Sequence, residues 1–161
     1  MKSGAGGNWR RFDEKFDASI VRQTTGISCL SALGEMLLNK RGISVSQEVI
    51  RDIIGEPSDV DSLSRALNQF DESDDKFVWR GIATTDESLE NLFRYHKNWG
   101  VVLKDDYRTK IGHAVFIDGR TRNGLIKIKD SFDQTSYKMK IEDFLNHWGG
   151  EVIMRWYPEI K

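Results

Sequence analysis

The sequence predicts an α+β fold in which N-terminal helices pack on a C-terminal antiparallel sheet. Three observations lead there. Apolar residues recur at helical spacing in the stretch before Gly100, short runs of valine, isoleucine and aromatics separated by turn residues follow it, and 161 residues suffice for one sizeable core. Hydrophobic residues make up 39% and charged residues 30%, which is the composition of a globular domain and not of a disordered chain.

Taken in order, Met1 to Gly7 is small and glycine-rich and reads as a flexible leader or linker remnant, which leaves 8–161 as a single domain. Leu30, Leu33 and Leu37 follow helical spacing from Cys29 to Asn39, with Ser28 as candidate N-cap. Ser44 and Gln47 have the spacing of a capping box, and Val49, Ile50, Ile53 and Ile54 give the next helix an apolar face before Gly55 stops it. Leu63, Ala66, Leu67 and Phe70 mark a third helix over Asp61 to Phe70, followed by an acidic loop from Asp71 to Asp75. Thr85 is placed to cap a fourth, through Leu89, Leu92, Phe93 and Tyr95. Strands are expected at Val101 to Leu103, Ala114 to Asp118, Leu125 to Lys129 and Val152 to Trp156, with a short helix over Ile141 to Trp148 between the last two. The sequence shows no internal repeat.

Several function classes find no support. With 24 basic and 25 acidic residues the net charge is -1, so nothing favours nucleic acid as a partner. Apolar runs such as Ala114 to Ile117 fall far below the roughly 18 residues of a membrane helix, so a soluble domain with no membrane segment is expected. One cysteine and three scattered histidines have no zinc-ligand spacing, and neither a metal nor a cofactor is expected. The single cysteine forms no internal disulfide, so the thiol is either core filler or chemistry.

Cys29 stands where chemistry is favoured. The first turn of a helix carries partial positive charge and unpaired N–H groups, which stabilise a thiolate. Six positions upstream, Gln23 precedes a Thr-Thr-Gly loop, from which its amide can donate to a developing oxyanion beside the Cys29 backbone N–H. Taken singly, a glutamine such as Gln23 is more often a solvated surface residue and a free cysteine such as Cys29 more often a buried structural thiol.

Context selects the base. His96 and His147 fall in predicted helices, whereas His113 opens a strand after Gly112. If Arg120 to Asn123 form a four-residue hairpin loop, Gly119 faces Gly124, Val115 faces Ile128 and Ile117 faces Ile126 on one apolar face, with Phe116 facing Lys127 on the other. The same register sets His113 opposite Asp130, whose carboxylate would fix the imidazole tautomer and leave the other nitrogen for a thiol proton. A bulge in the hairpin would move Asp130 to the other face. Trp79, Trp99, Trp148 and Trp156 are assigned to the core, with a cleft lining as the alternative.

With these residues placed, the chain resembles the papain-like cysteine peptidases, especially the subgroup that cleaves double-glycine leader peptides. The motifs are Gln23-Thr-Thr-Gly-Ile-Ser-Cys29-Leu-Ser-Ala, Gly112-His113-Ala-Val-Phe-Ile-Asp-Gly119 and Ile128-Lys-Asp130-Ser-Phe-Asp-Gln, and the match runs from Gln23 to Trp148. The resemblance implies the papain-like fold, with Cys29 as nucleophile, His113 as proton shuttle, Asp130 orienting the ring and Gln23 in the oxyanion hole. The sequence departs from the subgroup at Ser28, Leu30 and Ser131, where aspartate, glycine and proline are usual.

The expected activity is cysteine hydrolysis of peptide or side-chain amides, as a peptidase or glutamine deamidase, on a protein or peptide substrate. The same scaffold occurs in bacterial effectors and polymorphic toxins, which implies a toxic domain delivered between cells, as in contact-dependent growth inhibition, and restrained by a cognate immunity protein. Such a domain would work in the bacterial cytoplasm of a producer or target cell. The alternatives are a leader-peptide processing peptidase, an acyltransferase or transglutaminase-like enzyme using the same three residues, and an inactive binding module.

Overall fold

The computed structural model describes residues 7–56, 58–72, 76–105 and 112–157. Its elements run β1 (Phe12–Phe16), α1 (Cys29–Asn39), α2 (Gln47–Ile54), α3 (Val60–Phe70), β2 (Val78–Ile82), α4 (Leu89–Tyr95), β3 (Trp99–Leu103), β4 (His113–Arg120), β5 (Ile126–Asp130), β6 (Thr135–Met139), α5 (Ile141–His147) and β7 (Trp148–Trp156). The seven strands form one antiparallel sheet in the order β1-β6-β5-β4-β3-β7-β2. This is the expected α+β architecture.

Both faces of the sheet are covered. One apolar cluster joins Leu30, Leu33 and Leu37 of α1, Ile50 of α2 and Leu63 of α3 to Val102, Ala114, Phe116 and Ile153. The other joins Val101, Leu103, Val115, Ile117, Ile128 and Val152 to Leu92 of α4 and Phe144 of α5. Neighbouring strand residues point to opposite faces, so β3 and the first half of β4 read as continuous apolar runs. Phe116, expected on the face opposite Val115 and Ile117, lies there with Ala114 against α1.

Three strands carried no signal that the sequence reading used. β1 and β2 are edge strands, β1 mostly exposed with the charged sequence Phe-Asp-Glu-Lys-Phe, as suits an edge that must not pair further. β6 alternates buried Thr135, Tyr137 and Met139 with half-buried Ser136 and Lys138. The cap assignments also shift. Ser46, not Ser44, accepts from the Val49 N–H to cap α2, and Ser88, not Thr85, accepts from Asn91 to cap α4. Gly55 ends α2 as expected, at φ 81°. Residues 1–6 of the glycine-rich leader and 73–75 of the acidic loop lie outside the described residues, while Gly7 is buried against the Trp9 indole.

The β4–β5 hairpin departs from the expected register in an informative way. Arg120 pairs with Ile126 and the Thr121 N–H donates to the Leu125 carbonyl at 2.7 Å, so the loop is Arg122-Asn123-Gly124 and has three residues, not four. Taken alone, that loop would put His113 and Asp130 on opposite faces. Between Arg120 and Ile117 the register slips by one at a bulge, after which Ile117 pairs with Ile128 and Phe116 with Lys129. The bulge therefore returns Asp130 to the face of His113, displaced by two residues from the expected pairing. Gly119 within it has φ 78°, in the left-handed region.

A methyl group at Gly119 would meet nothing within 4 Å, so substitution there tests backbone strain alone. Gly119→Ala is expected to cost about 1–2 kcal/mol, measured as a lowered urea midpoint with an unchanged slope; an unchanged midpoint would show that the bulge does not need glycine.

Candidate active site

The three expected reacting residues sit at element ends. Cys29 opens α1, His113 opens β4 and Asp130 closes β5. α1 packs on one face of β4 while His113 projects from the other, so thiol and imidazole meet where the strand begins. Ser28 occupies the N-cap position of α1 without capping it, because its hydroxyl accepts from the Thr25 N–H at 3.0 Å and donates to the Thr25 carbonyl at 3.1 Å. Ser28 thus makes no side-chain cap bond to the first turn of α1, which leaves the positive helix end beside the thiol.

His113 Nε2 lies 2.6 Å from Asp130 Oδ1, with Asp130 wholly buried and His113 7% exposed. In the observed register Asp130 falls diagonal to His113, a span that an imidazole bridges readily. With Nε2 committed to Asp130, Nδ1 is the ring nitrogen left to serve the Cys29 thiol. Cys29 is partly exposed, and the loop from Thr24 to Ile27 beside it is open to solvent, so the sulfur is reachable.

The charges follow from this packing. Burial opposes ionisation of Cys29, but the hydrogen bond and charge of His113, with the Ala114 N–H, outweigh it and hold the thiol below its ordinary 9.0. Burial likewise disfavours the imidazolium, yet the Asp130 charge and hydrogen bond, joined by Cys29, push His113 up from 6.5 to about 10. Asp130 is itself held below its ordinary value against burial by His113, the Tyr137 hydroxyl and the Phe132 N–H. Each shift is in the direction of a thiolate–imidazolium pair backed by a carboxylate.

Gln23 is 8% exposed and tightly held. The Ser131 hydroxyl donates to its Oε1 at 2.9 Å, the Gln23 N–H donates to the Ser131 carbonyl, and Nε2 donates to the Thr25 carbonyl at 2.9 Å. An amide nitrogen carries two hydrogens, so one remains after the Thr25 bond. Gln47, expected in a capping box, braces this loop instead, donating to the Arg22 carbonyl at 2.6 Å and accepting from the Thr24 N–H at 3.1 Å.

Around the set are residues the sequence reading passed over. The Tyr137 hydroxyl donates to Asp130 Oδ2 at 2.7 Å, the Phe132 N–H to Oδ1 at 3.0 Å, and Trp9 Nε1 to the Tyr137 oxygen at 2.9 Å. Tyr137 left a faint trace in the alternation of Thr135, Tyr137 and Met139. Trp9 left none, since it precedes the first element. Trp79 and Trp99 are buried, and Trp148 and Trp156 pack against the core, as assigned. His147 donates Nδ1 to the Lys104 carbonyl at 2.6 Å. Among the described residues no group of three His, Cys, Asp or Glu is arranged to hold a metal ion.

This is the papain-like cysteine peptidase fold. It is similar to the peptidase domain of Streptococcus ComA, a bifunctional ABC transporter (TM-score 0.66, 19% identity, 84% of this chain and 95% of that one). A double-glycine motif protease from an AMS/PCAT transporter, solved with its leader peptide, is similar too (TM-score 0.64, 15% identity, 92% of this chain and 95% of that one). In sequence the chain is 35% identical over 155 residues to Cysteine protease effector 1 of Escherichia coli O1:K1:H7, a match covering 96% of this chain. The chain spans 30% of the length of that protein. No protein-family model matches. Among the described residues no helix is long and apolar enough to cross a membrane.

The pair leaves a signature in stability. His113, raised above 6.5, contributes stability that is present below 6.5 and lost as pH rises toward 10; Cys29, lowered from 9.0, contributes stability that grows as pH rises to 9.0. Between those ordinary values the two oppose each other in the wild type. Cys29→Ala removes the second, so its unfolding free energy should fall from pH 6.5 to 9.0 more steeply than that of the wild type in urea titrations. Parallel curves would show that the pair is not ionised.

Proposed function

We propose that this chain is a cysteine peptidase domain that cleaves peptide bonds through Cys29, His113 and Asp130. The observation that carries it is the buried 2.6 Å His113–Asp130 contact together with a partly exposed thiol at a helix N-terminus. The Cys29 thiolate adds to the peptide carbonyl and His113 donates its proton to the departing amine. Water, deprotonated by the same imidazole, then cleaves the thioester. The Cys29 N–H and the remaining Gln23 Nε2 hydrogen are the donors offered to the oxyanion, with Ser131 keeping the amide turned so that nitrogen, not oxygen, is presented.

The likeness to a protein named as an effector supports a second step of the proposal, that the domain acts as a toxin on bacterial cells; restraint by an immunity protein belongs to the same proposal. The structure solved with a leader peptide supports a peptide as substrate.

Four measurements test these readings. Cys29 should alkylate with iodoacetamide at pH 6 at least about tenfold faster than free cysteine, and equal rates would remove the activated thiol. Proteomes treated with wild type, but not with Cys29→Ala, should gain new peptide N-termini; glutamate in place of glutamine without new termini would make the enzyme a deamidase. Gln23→Ala should slow turnover by about 10²–10³-fold, and growth of bacteria expressing wild type should fail where Cys29→Ala cells grow. Equal growth would end the toxin reading and leave the peptidase reading standing.

A further inference from the structure

The chemistry above gives no role to Trp9 and Tyr137, although both are 2% exposed and both join the buried network. An indole N–H can only donate, so the Tyr137 oxygen must accept from Trp9 Nε1 at 2.9 Å. Its one hydrogen is then free for Asp130 Oδ2 at 2.7 Å. His113 Nε2 and the Phe132 N–H take Oδ1 at 2.6 and 3.0 Å. Both carboxylate oxygens are thus held from opposite ends, which sets the plane of the group and keeps Oδ1 at the ring.

Trp9 acts a second time in the same place. Its ring lies 6.2 Å from that of His113, at 22° between planes, and meets His147 edge-on at 5.7 Å. It is anchored by its neighbours: Gly7 packs so close that a Cβ there would fall 2.1 Å from the indole, and the Asn8 N–H donates to Asp105 at 2.9 Å. One side chain from outside the sheet therefore both aims the tyrosine and borders the imidazole.

We propose that Tyr137, and Trp9 behind it, are positioning residues that hold the Asp130 carboxylate so that His113 keeps its ring on Cys29. The inference rests on the reading of those three residues as the reacting set. A purely structural role predicts less stability with an unchanged site. A purely electrostatic one predicts that loss of the Tyr137 hydroxyl makes Asp130 a stronger acceptor, and tightens its bond to His113.

The test uses Tyr137→Phe and Trp9→Phe in the full chain, with folding checked by circular dichroism. The readouts are the downfield proton resonance of His113 Nε2–H and the iodoacetamide alkylation rate of Cys29 at pH 6. Positioning predicts an upfield move of that proton and alkylation about tenfold slower in Tyr137→Phe, with a smaller change of the same sign in Trp9→Phe. An unmoved or downfield resonance, or a wild-type alkylation rate, overturns it. Should Tyr137→Phe not fold, Trp9→Phe decides, since it keeps the Tyr137 hydroxyl and removes only the indole donor that aims it. Asp130→Asn separates the two levels. If Asp130→Asn is slowed and Tyr137→Phe is not, only the present inference falls; a wild-type thiol no faster than free cysteine defeats the reading of the site itself.

Discussion

A carboxylate with no access to water sits at the base of this site. An isolated buried charge costs several kcal/mol, so Asp130 persists as an anion only because donors surround it. Those donors come from β4, from β6, and from the backbone just beyond β5. The requirement is mutual. His113 stays protonated inside the protein because the carboxylate is there, and the thiol loses its proton more readily because the imidazolium is there. Each of the three groups favours the charged form of its neighbour against the burial that opposes it.

The hairpin between β4 and β5 makes that meeting possible. Side-chain direction in a strand has a period of two, so an odd change in loop length or register separates His113 from Asp130 and an even one does not. The three-residue loop is an odd change from the four-residue one, and the bulge at Asp118 and Gly119 makes it even again. Two irregularities, each disruptive alone, together preserve the face.

A parallel economy holds on the nucleophile side. Ser28 turns its hydroxyl back to Thr25, leaving the start of α1 uncapped, while Gln47 reaches from α2 to brace the loop that carries Gln23. Ser131 follows Asp130 directly and grips the Gln23 amide. The residue next to the orienting carboxylate therefore ties the two halves of the site together, something a proline could not do because it has no hydroxyl to donate.

The amino-acid sequence by itself determined the class of fold, the helix beginning at Cys29, and the candidacy of Cys29, His113, Asp130 and Gln23, because helical spacing, strand composition and motif order are local properties of the chain. It also carried the shared face of His113 and Asp130, though by a register that proved to be displaced by two residues. Only the tertiary structure decided which serine caps α2, why Gln47 is buried, that Phe116 lies under a helix, and that Trp9 and Tyr137 stand behind Asp130. Trp9 and Tyr137 are 128 positions apart, and Ser131 and Gln23 108. Contacts at such separations leave no periodic trace in either partner, since they depend on how seven strands are ordered and where one extra residue is absorbed.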